Sequence, residues 1–414
     1  MIKSIKKPEL LAPAGNFEKL ETAIRYGADA VYLAGKEFSL RNFSGNFSDQ
    51  ELERAVHYAH DKNVKVYVAC NVYSRNPEQE KIRAFLTRLN QIKPDALIIA
   101  DPGILFLTRK IMPETEIHLS TQSNTTNINA ARFWKTLGVK RVNLARELPL
   151  CDIETIAKST SSPEVETFVH GAMCISYSGR CLLSSALSGR DSNRGLCSHP
   201  CRWRYSVVEE CRPGEYHPLA QDSRGSYIFS SKDLCMIHHI PELVQAGIAS
   251  LKIEGRMKGL AYLSSVVKTY REAIDHYMEN PGEYGVNPWW EQELASVYHR
   301  PYCTGFYFGE LAEILPDFTN THTGTIHSFI GKVVETEKTG IARVEIRNRL
   351  SKGDTIEVLT PDNPPISSPV HKIIDSHGLE IPRAQPNTIA GLVIDAPCQP
   401  MDIIRRPPLN RYNL

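Results

Sequence analysis

From Glu9 to Met278 the chain alternates short apolar runs with amphipathic helical stretches, and few architectures accept that order. Parallel strands cannot be joined by a tight turn; each pair needs a crossover, which a helix supplies. The run Glu9–Pro13 is followed by NFEKLETAIRYG, where Asn16 is placed to cap a helix and Gly27 to stop it. Leu20, Ala23 and Ile24 share one face of that helix. ADAVYLAG comes next, then a helix opened by the capping-box pair Ser48 and Glu51, with Leu52, Ala55, Val56 and Ala59 as its buried stripe. VKVYVAC, DALIIAD, EIHLSTQ, KRVNLAR and EVETFVHG then read as strands. Between them lie helices near 78–92, 103–111, 127–137 and 152–158. The eighth strand, IASLKIEG, precedes a long helix from Leu260 to Met278. Eight strands with right-handed crossovers predict an α/β fold, a TIM-like (β/α)8 barrel. An open doubly wound sheet is the alternative.

Two segments break the rhythm. After strand 7 lies a Cys-rich insertion, residues 171–230, far longer than an ordinary βα connection. Residues 281–323 lose the helical pattern and read as a linker. From 324 to 414 the chain becomes short strands such as GKVVET, IARVEIR and DTIEVLT between Gly, Pro and Asn turns. That pattern predicts a small C-terminal antiparallel β-barrel, separate from a barrel domain spanning 1–280.

A net charge of +1 gives no global field for a polyanion, so any nucleic-acid contact must come from local patches. No run of about 18 apolar residues predicts a membrane span. The start, MIKSIKKPELLAPAG, lacks an apolar stretch of signal-peptide length, so the expected compartment is the cytoplasm. Ten cysteines in that compartment stay mostly reduced, and their clustering points to metal or redox chemistry.

Cys174, Cys181, Cys197 and Cys201 are spaced C-x6-C-x15-C-x3-C. Four soft thiolates suit zinc or an iron–sulfur cluster, and spacing alone leaves both open. Position favours the cluster, because Cys174 follows directly on strand 7, at the end of the barrel where active sites lie. Arg180, Arg190, Arg194, Arg202 and Arg204 surround the cysteines, and such cations would stabilise a net-negative cluster and draw an anionic substrate. The bland alternative is a zinc staple that orders the insertion. The remaining cysteines, Cys70, Cys151, Cys211, Cys235, Cys303 and Cys398, are scattered and read mostly as buried inert thiols.

Several stretches carry a specific resemblance: ELLAPAGNFEKLETAIRYGADAVYLAG, FSLRNFSGNF, HLSTQSNTTN, RVNLARELPL, ETFVHGAMCISYSGRCLLSS, HPCRWRY and SLKIEGRMKG. Over almost its whole length the chain resembles the collagenase-like U-type peptidase family (peptidase family U thirty-two), nearest its tRNA uridine hydroxylase branch. That resemblance implies a TIM-like barrel, a small C-terminal β-barrel and a four-cysteine iron–sulfur cluster, whose cysteines map onto Cys174, Cys181, Cys197 and Cys201. In this branch it implies oxygen-independent hydroxylation of carbon 5 of the wobble uridine of tRNA, with prephenate as oxygen donor. It also implies a paralogous partner subunit, since some members occur as two related copies. Other branches act on ribosomal RNA cytidine or in ubiquinone hydroxylation. The large C-terminal extension of the ribosomal RNA branch is not in this sequence, which makes tRNA the expected substrate. The peptidase label finds neither an HExxH motif nor a GxSxG elbow, though a reactive cysteine paired with His170 is conceivable.

A dicarboxylate donor needs cations beside the cluster. Arg41, Arg146, Lys252 and Arg256 fall at or beyond strand ends and are the candidates, with Glu254 placed to orient one of them. Each also has a structural reading, as a partner for Glu147 or Glu254. His170 and Tyr177 flank Cys174 and are candidate proton or hydrogen-bond donors, although a strand-ending histidine is as often structural. Asn71 and Gln122 are candidate readers of a base edge or ring hydroxyl, while Asp101 reads as a helix cap. For RNA, Lys332, Arg343, Arg347, Arg349 and Lys352 are interleaved with acids and read as a solvated face on charge alone. Trp203 and Tyr205 could stack on an extruded base or pack the insertion. A metal-stapled binding or assembly subunit without catalysis is the alternative from another class.

Overall fold

The computed structural model describes residues 6–40, 45–174, 179–200, 221–222, 225–226, 232–309, 327–337 and 339–407. Seven strands, β1 (Glu9–Pro13), β2 (Ala30–Leu33), β3 (Lys65–Cys70), β4 (Ala96–Ile99), β5 (Glu116–Leu119), β6 (Arg141–Asn143) and β7 (Glu164–Ala172), pair in sequence and in parallel. An eighth, Ser250–Ile253, pairs in parallel with both β7 and β1 and closes the barrel.

The helices between them start where the caps predict. Asn16 accepts from the Lys19 amide at 2.9 Å to open α1 (Phe17–Arg25). Ser48 and Glu51 form the reciprocal capping box of α2 (Asp49–His60). Next come α3 (Gln79–Ile92), α4 (Pro102–Ile111), α5 (Ile128–Thr136) and α6 (Leu150–Ala157). Asp101 caps α4, accepting from the Ile104 amide, as its sequence position suggested. The insertion carries α7 (Leu183–Ser188), and a short α8 (Ile240–Gln245) precedes the eighth strand. The longest helix, α9 (Leu260–Glu279), buries Tyr262, Tyr270 and Tyr277 against the sheet.

Alternation along the strands divides the barrel interior into two halves. On the side of β1 to β4 it is mostly apolar, with Leu11, Tyr32, Tyr67, Ala69 and Ile98 in one cluster and Glu9 of β1, which pairs with Arg141, as a charged exception. On the side of β5 to the eighth strand it is charged: His118, Arg141, Asn143, Glu166 and Lys252 are all buried. Apolar layers normally fill such a barrel, so this half departs from the rule.

Residues 281–309 are more than a linker. They contain α10 (Pro288–Ala295), capped by Asn287, with Trp290 and Leu294 buried, and the strand Tyr302–Cys303 that joins the barrel sheet through Asp233–Cys235. A proline start and adjacent tryptophans, Trp289 and Trp290, hide the period of α10 in the sequence.

From Ser328 to Arg406 an eight-stranded antiparallel sheet curls as a half-barrel around its own core, including Ile330, Val344, Ile356 and Leu392. It is bolted to the barrel by buried charge. Arg405 donates to both carboxylate oxygens of Glu293 at 2.6 and 2.8 Å and to Glu357 at 2.9 Å. Arg25 pairs with Asp402 at 2.5 Å, and the Tyr26 hydroxyl donates to the Leu359 carbonyl. Among the described residues no helix is long and apolar enough to cross a membrane.

Candidate active site

The C-terminal ends of the barrel strands surround a cavity of about 150 Å³. Its wall combines strand-end residues with one face of the insertion, including Cys174, Cys181 and Cys197. None of these three thiols is in a disulfide. Cys201, the fourth cysteine of the motif, lies outside the described residues, as do Arg41, Tyr177, Cys211, Trp203 and Tyr205.

Close backbone packing brings the insertion to the wall. Gly179 has φ +73°, and a Cβ there would lie 2.3 Å from the Gln122 carbonyl oxygen, so only glycine lets this turn approach the end of β5. The Cys181 carbonyl then accepts from Ser192 Oγ at 2.8 Å and Asn193 Nδ2 at 2.9 Å. Ser198, next to Cys197, is tied to Ser184 and Ser188. The His199 amide donates to the Cys197 sulfur at 3.4 Å, the kind of N–H···S contact that stabilises a thiolate ligand. Among the described residues no three His, Cys, Asp or Glu side chains are grouped to hold a single metal ion.

Of the five arginines around the thiols, Arg202 and Arg204 lie outside the described residues. Arg194 is consumed by Glu78, at 2.7 and 3.1 Å, and Arg190 donates to the Leu196 carbonyl. Arg146 makes the direct contact: its Nη1 lies 3.7 Å from Cys174 Sγ while its guanidinium stacks 4.1 Å from the Phe168 ring centroid.

Arg146, Lys252, Arg256 and Glu254 all reach the cavity. Lys252 is buried, donating to Glu166 at 2.8 Å and lying 4.5 Å from the Tyr32 ring centroid. Arg256 donates to Ser39 Oγ at 2.9 Å and Asn46 Oδ1 at 3.3 Å, which braces the loop after β2 against the wall. Glu254 accepts from the Tyr32 hydroxyl at 3.4 Å. Asn71 and Gln122 line the same cavity; Asn71 Oδ1 accepts from the Leu40 amide.

His170 is placed elsewhere, off the wall of this cavity. Strict alternation from Glu166 and Phe168 would turn it inward, but the β7 register slips against Lys252 and Ile253. That bulge turns the ring outward, among Tyr262, Tyr270 and Tyr302 at 5.3 to 5.9 Å between centroids. Burial pushes its imidazole down to about 3, so it is neutral at physiological pH. Gly171 follows with φ +107°, and a Cβ there would lie 2.5 Å from the Glu254 carbonyl oxygen.

The scattered cysteines differ among themselves. Cys70 is fully buried, and burial pushes its thiol up to about 12, but Cys151 is exposed and departs from the expectation of a buried thiol. On the C-terminal domain, Lys332 pairs with Glu18, Arg343 with Glu337, Arg347 with Glu345 and Lys352 with Glu380, at 2.6 to 2.8 Å. The exposed Lys352–Glu380 pair fits the solvated-face reading of that charge pattern, whereas Lys332 is buried where it meets Glu18 of α1 and departs from it.

Sequence reasoning missed Asn143, Tyr32 and Phe168 on the wall and Glu166 behind it. The signal was available: in EVETFVHG, period-two alternation puts Glu164, Glu166 and Phe168 on one face, two carboxylates where a barrel interior expects apolar residues.

Comparison with known proteins adds to this geometry. Peptidase family U32 matches residues 15–315, and the peptidase family U32 C-terminal domain matches residues 326–405. The chain is 37% identical over 403 residues to tRNA hydroxylation protein P1 of Bacillus subtilis, covering 97% of this chain and 95% of that protein. It is 36% identical over 402 residues to tRNA hydroxylation protein P of Escherichia coli, covering 86% of each. It is also 31% identical over 381 residues to a protein named collagenase from Porphyromonas gingivalis, covering 88% of this chain and 89% of that one.

Proposed function

The chain belongs to peptidase family U32, and from that premise we propose that it is an RNA-modifying enzyme that hydroxylates tRNA. In its finer form the proposal is oxygen-independent hydroxylation of the wobble uridine at carbon 5. Prephenate is the oxygen donor, and Cys174, Cys181, Cys197 and Cys201 hold an iron–sulfur cluster. The observation that carries it is the meeting of three of these cysteines with Arg146, Lys252 and Arg256 on one cavity at the barrel mouth. The names of the relatives from Bacillus subtilis and Escherichia coli support tRNA as the substrate.

The donor set suits the group. Soft, unpaired thiols with an amide donating to Cys197 and a guanidinium beside Cys174 form a setting in which an anionic iron–sulfur cluster is stabilised. When bound, it supplies one-electron and Lewis-acid chemistry. The chain's own residues do the rest. Arg146 and Lys252 bind the carboxylates of the donor, and Arg256 holds the loop that walls the site. Asn71 and Gln122 offer amides to a ring hydroxyl or a base edge. The Phe168 and Tyr32 rings keep water from the floor.

Among the described residues no specific contact favours a peptidase reading. His170, the base that sequence proximity offers to Cys174, is turned away and neutral. The test is to express Cys174→Ala and Cys201→Ala proteins in cells lacking the wild-type protein and to read tRNA nucleosides by mass spectrometry. Loss of the hydroxylated nucleoside with retained tRNA binding is expected; unimpaired hydroxylation refutes the catalytic reading.

A further inference from the structure

Glu166 has no role in the site as described so far, yet it is among the most buried carboxylates of the barrel, 1% exposed. Its Oε1 accepts two hydrogen bonds, from Lys252 Nζ at 2.8 Å and from Asn143 Nδ2 at 3.0 Å. Its Oε2 lies 3.7 Å from Arg141 Nη1, and Arg141 is itself held by Glu9 at 2.6 Å and Glu164 at 3.0 Å. Lys252 and Asn143 both line the cavity; Glu166 stands behind them.

The consequence follows from what each group can donate and accept. An ionised carboxylate only accepts, so it fixes which end of the Asn143 amide faces it. The NH2 group is consumed, and Oδ1 is turned the other way. That oxygen is buried and has no hydrogen-bond partner among the described residues. An ammonium has three donors, of which Glu166 takes one. Lys252 is therefore held 4.5 Å from the Tyr32 ring centroid and 5.5 Å from that of Phe168, with donors left for a ligand.

We propose that Glu166 is a positioning residue for the oxygen donor: it sets Lys252 and Asn143 as an adjacent pair, one ammonium for a carboxylate or carbonyl oxygen and one amide oxygen for a hydroxyl. The ligand class is a hydroxy acid anion, which matches the donor in the proposed function and rests on that reading. A hydrophobic layer would fill this half of the barrel at lower desolvation cost, as it does on the side of β1 to β4. The charged column is retained where it meets the cavity.

The charge state is set by several groups together. Lys252 faces Glu166 and Phe168 from β7, Tyr32 from β2 and Asn143 from β6, with Arg146, Glu254 and Arg256 at the same mouth and Arg141 behind. Burial pushes the Glu166 carboxyl up, but Lys252, Arg141 and His118 outweigh it and hold it below the usual carboxylate range. Removing that negative charge leaves the buried ammonium without its counter-ion.

The experiment measures prephenate affinity by calorimetry on the full-length protein, wild type and Glu166→Gln, across neutral to alkaline pH, with tRNA affinity read in parallel. Glu166→Gln is expected to weaken prephenate binding about tenfold or more, increasingly so as the pH rises, and to leave tRNA affinity unchanged. A purely structural role would lower stability without adding a pH dependence to ligand affinity. Lys252→Met and the double variant Lys252→Met with Glu166→Gln complete a cycle, and the neutral pair covers the case in which Glu166→Gln alone fails to fold. The double variant is expected to bind prephenate as Lys252→Met does; a further independent loss overturns the positioning role. Wild-type affinity in Glu166→Gln at every pH overturns it too, leaving the donor reading intact. Failure of the wild type to bind prephenate overturns the donor reading and this inference with it.

Discussion

The guanidinium of Arg146 stands 3.7 Å from the sulfur of Cys174 and 4.1 Å from the Phe168 ring centroid, so one side chain joins the cysteine motif to the barrel wall. Arg146→Ala removes both contacts. It is expected to lower tRNA hydroxylation about tenfold or more, since charge-assisted contacts are the strong ones. Arg146→Lys should recover only part, because an ammonium can neither stack nor fork. Steady-state rates with purified variants check this; unchanged rates in Arg146→Ala remove the residue from the site.

The cysteine motif predicts its own cofactor analysis. Anaerobically purified protein should contain about four irons and four acid-labile sulfides per chain, with broad brown absorbance. Cys181→Ala and Cys197→Ala should lose most of both. One zinc and no sulfide would instead demote the motif to a staple for the insertion.

His170 carries a pH prediction of definite sign. Burial pushes its imidazole down to about 3 in the folded chain, while the unfolded chain binds a proton below about 6.5. Its contribution to stability is therefore complete above about 6.5 and is lost as the pH falls toward 3, at up to about 1.4 kcal/mol per pH unit. Urea unfolding of wild type and His170→Phe at about pH 7 and about pH 5 should show a shallower acid loss in the variant. Parallel losses would place the acid sensitivity elsewhere, and a changed hydroxylation pH profile would return His170 to the chemistry.

The domain junction rests on Arg405, which is buried between Glu293 of α10 and Glu357 of the C-terminal sheet. Arg405→Ala leaves Glu293 buried without its partner and is expected to cost about 3–5 kcal/mol. Arg405→Met combined with Glu293→Gln should cost less, because both charges go together. Thermal unfolding of the three proteins decides it; equal losses would mean that packing rather than the ion pair holds the junction.

The barrel was legible because its signals are local. Caps such as Asn16 and Ser48, and the alternation of strand with helix, act within a few residues. The cysteine motif was legible because Cys174 sits directly after β7. His170 was misplaced because a bulge opposite Lys252 and Ile253 is a pairing property of two distant strands, invisible in either alone. Glu166 was overlooked because its meaning depends on Asn143 and Lys252, which reach it from the strands flanking β7 on either side, one of them far away in sequence. α10 escaped notice because its Pro288 start and its adjacent tryptophans, Trp289 and Trp290, mask the helical period.

Anaerobic incubation of the purified holoprotein with unmodified tRNA and prephenate, followed by nucleoside mass spectrometry, tests the central claim most directly. Prephenate-dependent formation of 5-hydroxyuridine at the wobble position, absent with Cys174→Ala, is the predicted result. An iron–sulfur-loaded protein that leaves every tRNA nucleoside unchanged under these conditions would contradict it.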